Sequence, residues 1–120
     1  MSFDQLDVYR VAVELRASVT TAIAKRGTRD LRDQFARASS SVILNLAEGA
    51  GRWEPADKRR FYVIARGSAF ETAAALTLLR ADSALTAEQY AAAKQRVIRV
   101  MAMLTNLAKR PVAAPQEAGR

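Results

Sequence analysis

The stretch Gln34–Arg52, QFARASSSVILNLAEGAGR, constrains the fold of this chain more than any other. At helical spacing, Gln34, Ala38, Ser41, Asn45 and Glu48 recur at i, i+4, i+7, i+11 and i+14, which sets them on one stripe. Leu31, Phe35, Ala38, Val42, Leu46 and Gly49 make a second stripe beside it, apolar and small. A hydrogen-bonding row next to a core-facing row predicts a helix packed against other helices. Gly49-Ala50-Gly51 reads as its stop.

The rest of the chain agrees with a helical architecture. Its 120 residues suit one domain with a single core. Half of the residues are hydrophobic, but 25 are Ala and only 7% are aromatic, so the core must rely on small side chains and close helix contacts. Ala is the best helix former, Gly and Pro are few, and no sustained Val/Ile/Thr alternation occurs. The fold class is therefore all-α.

Four helices with short breaks follow from the pattern. The first is expected from Phe3 or Asp4 to Lys25, with Val8, Ala12, Leu15, Val19 and Ile23 on its inner face. Gly27 then suits a C′ position and Thr28 an N-cap. The second helix runs from about Arg29 to Glu48 or Gly49, and Pro55 opens the third, which continues to about Arg80. The inner face of the third is expected to hold Phe61, Ile64, Ser68, Glu71 or Thr72, Ala75 and Leu78 or Leu79, with Ala69, Phe70 and Ala73 off it. Gly67 inside this helix suggests a close helix crossing. Thr86 and Gln89 form a capping box for the fourth helix, which extends to about Ala108 and buries Tyr90, Ala93, Val97, Met101, Leu104 and Ala108. Short connections imply an antiparallel up-down-up-down four-helix bundle over residues 1–110, followed by a disordered tail over 111–120. Apolar surface beyond what one seam needs, on the first and third helices, predicts self-association.

Several chemistries are excluded or disfavoured. The chain has no Cys and no His, which removes disulfides, thiol nucleophiles, imidazole bases and nearly all zinc and haem sites. The start, MSFDQLDVYR, carries acids and lacks a basic segment followed by an apolar run, so no signal peptide is read and a cytoplasmic location is expected. No apolar stretch approaches the roughly 20 residues of a membrane span. Glu48 and Glu71, with Asn45, are the only candidates for acid–base work or a divalent metal, and neither carboxylate lies in an acid-rich segment. The expected role of Gln34, Ser41, Asn45, Glu48, Ser68 and Glu71 is instead a structural polar network that fixes register. No enzyme activity, metal or cofactor is expected. Gly49-x-Gly51 follows a helix and lacks the Gly-Lys-Ser/Thr ending of a phosphate loop.

Charge is the better functional lead. The net charge is +7, with residues 25–66 at +5 and 94–120 at +5, while 1–24 and 67–93 are slightly negative. Such clustering suits a polyanion, and nucleic acid is the commonest one. Arg59, Tyr62 and Arg66 share a stripe, as do Arg96, Arg99 and Arg110 on the last helix, and Arg52 sits beside Trp53. An aromatic between two Arg side chains can stack a base while the guanidinium groups hold phosphates. The competing reading is a solvated face, or Arg packed on Tyr62 at a subunit contact.

The residues also carry a family resemblance. Gln34, Arg37-Ala38, Ser41, Asn45, Glu48-Gly49 and Gly51-Arg52, followed by Phe61, Ile64-Ala65, Gly67-Ser68 and Glu71, resemble the pattern of the bacterial four-helix-bundle proteins of 23S rRNA intervening sequences. That group includes the accessory variability determinants of diversity-generating retroelements, and the opening Leu6-Asp7-Val8-Tyr9 is similar too. Phe35-Ala36, Glu54 and Lys58 depart from the pattern, Lys58 standing where an aromatic is usual. The resemblance implies a bundle that assembles as a homo-oligomer, typically a pentameric ring. For the retroelement members it implies binding to a reverse transcriptase and to nucleic acid. The expected function is thus a non-enzymatic, homo-oligomeric bundle binding RNA or an RNA/DNA hybrid. The alternative is an oligomeric scaffold for a protein partner.

Overall fold

The computed structural model describes residues 1–110 and contains four helices, α1 (Phe3–Ala22), α2 (Arg29–Gly51), α3 (Pro55–Ala81) and α4 (Ala87–Lys109). The tail expected to be disordered, 111–120, lies outside the described residues. Each helix packs on its two neighbours in the order α1, α2, α3, α4 and back to α1, with the α2–α3 seam the most extensive and no close backbone approach across either diagonal among the described residues. This is the up-down-up-down bundle that the short connections demand.

Local chemistry accounts for the helix ends. Ser2 caps α1 by accepting from Gln5 N at 3.2 Å, while Gln5 Oε1 accepts from Ser2 N at 2.7 Å. Thr28 caps α2 through Leu31 N at 3.1 Å. Thr86 and Gln89 form the expected capping box on α4, at 3.1 and 2.9 Å. Pro55 occupies the first turn of α3, where its missing N–H costs nothing.

Two boundaries differ from expectation. α1 ends at Ala22 rather than Lys25, and Gly27 stands further along in the turn, at φ +72. A Cβ there would meet Ala84 Cβ at 3.2 Å, so the turn needs glycine both for its backbone angle and for its fit on the 82–86 connection. α2 runs through Gly49 to Gly51 instead of stopping at Gly49. Gly49 is there for contact: a Cβ would lie 2.6 Å from Tyr62 Cε1 and 3.2 Å from the Lys58 carbonyl oxygen. The ring of α3 lies directly on the backbone of α2.

The core divides lengthwise into two clusters. Val8, Val11, Val42, Leu46, Tyr62, Val100 and Leu104 belong to one, nearest the α2–α3 connection. Leu15, Val19, Phe35, Leu76, Leu79 and Val97 belong to the other. Full burial of a residue such as Leu46 or Leu104 contributes about 1.5–3 kcal/mol. Between the clusters, Ser39 and Thr72 are buried and turn their hydroxyls back on their own helix, to Phe35 O at 2.7 Å and Ser68 O at 2.8 Å.

The expected inner face of α1 is buried, that of α4 is buried except that Tyr90 and Met101 are only half-buried and Val100 and Leu107 are enclosed instead, and that of α3 is rotated. Tyr62, Ala65, Ser68, Ala69, Thr72, Ala75, Leu76 and Leu79 are buried, whereas Ile64 and Leu78 are exposed and Phe61 is half-buried. Ala69, expected off the inner face, is fully enclosed. Val63, Ile64, Phe70 and Leu78 instead leave an apolar outer face on α3. Gly67 lies on that outer face with no atom within 4 Å of where a Cβ would stand, so within one chain it marks no close crossing.

The two glycines therefore separate experimentally. Gly49→Ala forces the Tyr62 ring to shift and should destabilise by about 1–3 kcal/mol despite the helix propensity gained. Gly67→Ala meets open space and should stabilise a single bundle by about 1 kcal/mol. Chemical denaturation of the two variants beside wild type checks both signs.

Candidate nucleic-acid interface

The sequence-predicted basic residues are not spread along one face. The third-helix stripe loses its aromatic member, because Tyr62 is 3% exposed and part of the core. Its ring packs on Gly49, and its hydroxyl accepts from Gln5 Nε2. Burial raises its pKa, against the opposing effects of the Gln5 hydrogen bond and the nearby Arg110 charge. Tyr62 cannot stack a base. Arg66 turns toward α4, where Nε donates to Thr105 Oγ1 at 2.7 Å and the guanidinium covers the Phe70 ring at 4.8 Å.

The fourth-helix stripe is largely engaged with α1. Arg99 pairs with Asp7 at 3.0 Å, Arg110 pairs with Asp4, and Arg96 reaches Ser18 Oγ at 3.4 Å. Asp7 also takes a bond from Arg10 at 2.8 Å. That hydrogen bond is the chief reason the Asp7 carboxyl sits below its ordinary value, with the charges of Arg99 and Arg10 adding to it against desolvation.

The cations that remain open gather where α2 meets α3. Arg52 and Arg60 both lie over the Phe61 ring, at 4.8 and 4.7 Å, and Arg52 also pairs with Glu48 at 3.2 Å. Arg59 is exposed and makes no hydrogen bond or ion pair among the described residues. Trp53, next to Arg52, is 94% exposed. Lys58 Nζ donates to Gly49 O at 3.2 Å and Ala50 O at 3.0 Å, closing the C-terminal end of α2. Lys58 thus has a structural task at the position where the family resemblance leads one to expect an aromatic.

The polar row of α2 is only partly a network. Ser41 Oγ and Ser68 Oγ are 2.7 Å apart, and Asn45 Nδ2 donates to Ser41 O and Oγ at 2.9 and 3.1 Å. Those three residues stitch the α2–α3 seam. The other three face outward: Gln34 bonds its own-helix Asp30 at 2.9 Å, Glu48 takes Arg52, and Glu71 is exposed without a hydrogen-bond partner among the described residues. Gln34, Arg37, Ser41, Ser68 and Glu71 line a groove of about 580 Å3 along the seam. Among the described residues, no three acidic side chains come together as a metal site would require.

Three contributors were missed from sequence: Gln5, Lys58 and Arg60. The Ser2-x-x-Gln5 capping box was available as a signal for Gln5. For Lys58 and Arg60 the basic cluster 58–60 was visible, but not which member turns inward.

A profile of the 23S rRNA-intervening sequence protein family matches residues 4–106 of the chain. The chain belongs to this family. A solved structure from Bacteroides thetaiotaomicron VPI-5482, described as a protein of unknown function from the S23 ribosomal protein family, shares the fold. It is 21% identical, with a TM-score of 0.80, and the match covers 90% of this chain and 100% of that one. Comparison with curated proteins returns no match. No helix of the described residues in this 23S rRNA-intervening sequence protein is long and apolar enough to cross a membrane.

The Asp7 cluster carries a pH dependence. A carboxyl held below its ordinary 3.8 adds stability that is complete above that value and is lost as pH falls through the lowered one. The thermal midpoint of wild type should therefore exceed that of Asp7→Asn near neutrality, and the gap should close as melts are taken into strong acid.

Proposed function

We propose that this 23S rRNA-intervening sequence protein is a non-enzymatic, homo-oligomeric bundle that binds nucleic acid, RNA or an RNA/DNA hybrid, through the end where α2 meets α3. The observation that carries the reading is the exposed Trp53 indole beside Arg52, with Arg59 and Arg60 on the first turns of α3. Indoles stack on any base and guanidinium groups hold phosphates, so the set supports binding without sequence preference. Repetition of that end around a ring would turn weak single contacts into avidity. The resemblance to retroelement accessory proteins supports a reverse transcriptase as the enzyme beside which such a ring acts.

Fluorescence anisotropy with single-stranded RNA, duplex RNA and an RNA/DNA hybrid across a salt series tests the reading. Affinity should fall steeply as salt rises, because bound cations release counterions from the phosphates. Trp53→Ala should weaken binding by roughly five- to a hundredfold, while Arg60→Ala should lower the salt slope by about one. No binding of any of the three at low salt overturns it.

A second reading is supported by the apolar outer face of α3, where Val63, Ile64, Phe70 and Leu78 are each 44–51% exposed. That face suits an oligomeric scaffold for a protein partner. Light scattering on a sizing column gives the copy number as a multiple of 13.1 kDa, five for the ring that the resemblance implies. A defined protein partner retained after nuclease treatment, with no nucleic-acid binding by the purified protein, would favour the scaffold.

A further inference from the structure

Beside the Trp53 end lies a cavity of about 200 Å3 lined by Gln5, Pro55, Lys58, Arg59, Tyr62, Leu107 and Arg110. Its polar walls are nearly all donors. Arg59 is unpartnered among the described residues, and Lys58 has spent two of its three N–H groups on the Gly49 and Ala50 carbonyls. Arg110 brings a guanidinium whose partner, Asp4, does not line the cavity. The Tyr62 oxygen accepts from Gln5 Nε2, and its own O–H donates to no group among the described residues. Gln5 Oε1 accepts from Ser2 N. No carboxylate is among the lining residues.

Three cationic side chains and a buried hydroxyl around a space that no carboxylate lines favour a ligand rich in acceptors and negatively charged. We propose that this cavity is a phosphate-group site. A tetrahedral phosphate fits the volume, and its four oxygens match the donors that Arg59, Arg110, Lys58 and the Tyr62 hydroxyl bring to the lining. Its donors are phosphate binders of two kinds, the planar guanidinium and the point-charge ammonium. A phenol is protonated at neutral pH, as the donor role needs, and burial of Tyr62 acts in the same direction. The inference rests on the proposed nucleic-acid reading when the phosphate is the free end of a strand, and a free phosphate ion is the other source of the same chemistry.

The test uses the full chain with two probes: inorganic phosphate by calorimetry, and one single-stranded RNA prepared with a 5′-phosphate and with a 5′-hydroxyl. Preference for the 5′-phosphorylated strand identifies the strand terminus as the source. Binding of inorganic phosphate with no such preference identifies the free ion. In either case Arg59→Ala should weaken the phosphate-dependent binding about tenfold, and Tyr62→Phe, which keeps the ring on Gly49, should weaken it several-fold. Arg59 is exposed, so its variant remains informative if Tyr62→Phe unfolds, which circular dichroism reports. Equal affinity for both RNA ends with no uptake of inorganic phosphate overturns the site while leaving nucleic-acid binding intact. Loss of all RNA binding in wild type, with phosphate uptake retained, overturns the nucleic-acid reading alone.

Discussion

Tyr62 is the residue on which one end of the bundle depends. Its ring lies on the bare backbone at Gly49 of α2, its hydroxyl takes a hydrogen bond from Gln5 of α1, and its neighbours in the core include Leu104 and Leu107 of α4. One side chain of α3 thereby fixes its separation from α2 and its register against α1. The consequence reaches the surface. With Tyr62 held inward, Lys58, one turn earlier on the same stripe, is carried under the C-terminal end of α2 and closes the Gly49 and Ala50 carbonyls. Arg59 and Arg60 are then left turned away from the core, and Arg60 shares the Phe61 ring with Arg52. The candidate interface is the outward side of a packing solution.

How much of this was legible depended on whether a helix has one apolar side or two. On α1 and α4 the strongest apolar stripe is also the one that is buried, so Val8, Ala12, Leu15 and Val19, and Ala93, Val97 and Leu104, were placed as they lie. α3 is apolar nearly all round. The Phe61–Ile64–Leu78 row and the Tyr62–Ala69–Leu76 row fit the same period, and only the partner helices select between them. The selection favours small residues inside, Ala65 and Ala69 at zero exposure, because close seams with α2 and α4 leave no room for larger ones. Gly49 shows the same limit. A glycine near a helix end is a stop signal by composition, yet here it admits a ring from a distant segment, which no local rule can see.

The polar row of α2 was legible as a row but not as a network. Ser41, Asn45 and Ser68 are short, and short side chains can close hydrogen bonds across a seam without leaving it. Gln34, Glu48 and Glu71 are longer and sit slightly further round the helices, so they bond to neighbours on their own helix or face solvent beside the groove. Spacing gives angular position to within a residue; the difference between seam and rim is smaller than that.

Net charge likewise overstates what a surface can offer a polyanion. The +7 total counts Arg99 and Arg110, but each of these is paired with an aspartate of α1, and a phosphate arriving there must displace a carboxylate already in place. Such exposed pairs are weak, so displacement is possible, but it subtracts from the gain. A guanidinium resting on an aromatic ring with no carboxylate beside it, as that of Arg60 does, keeps its charge uncompensated and its N–H edges open, whereas Arg52 shares its charge with Glu48 and Arg66 has given Nε to Thr105. Arg59 has neither kind of partner among the described residues. Available positive charge is therefore a property of geometry, and among the arginines of the two basic stripes and Arg52–Arg60 it is left open where α2 hands the chain to α3, at the end organised by Tyr62.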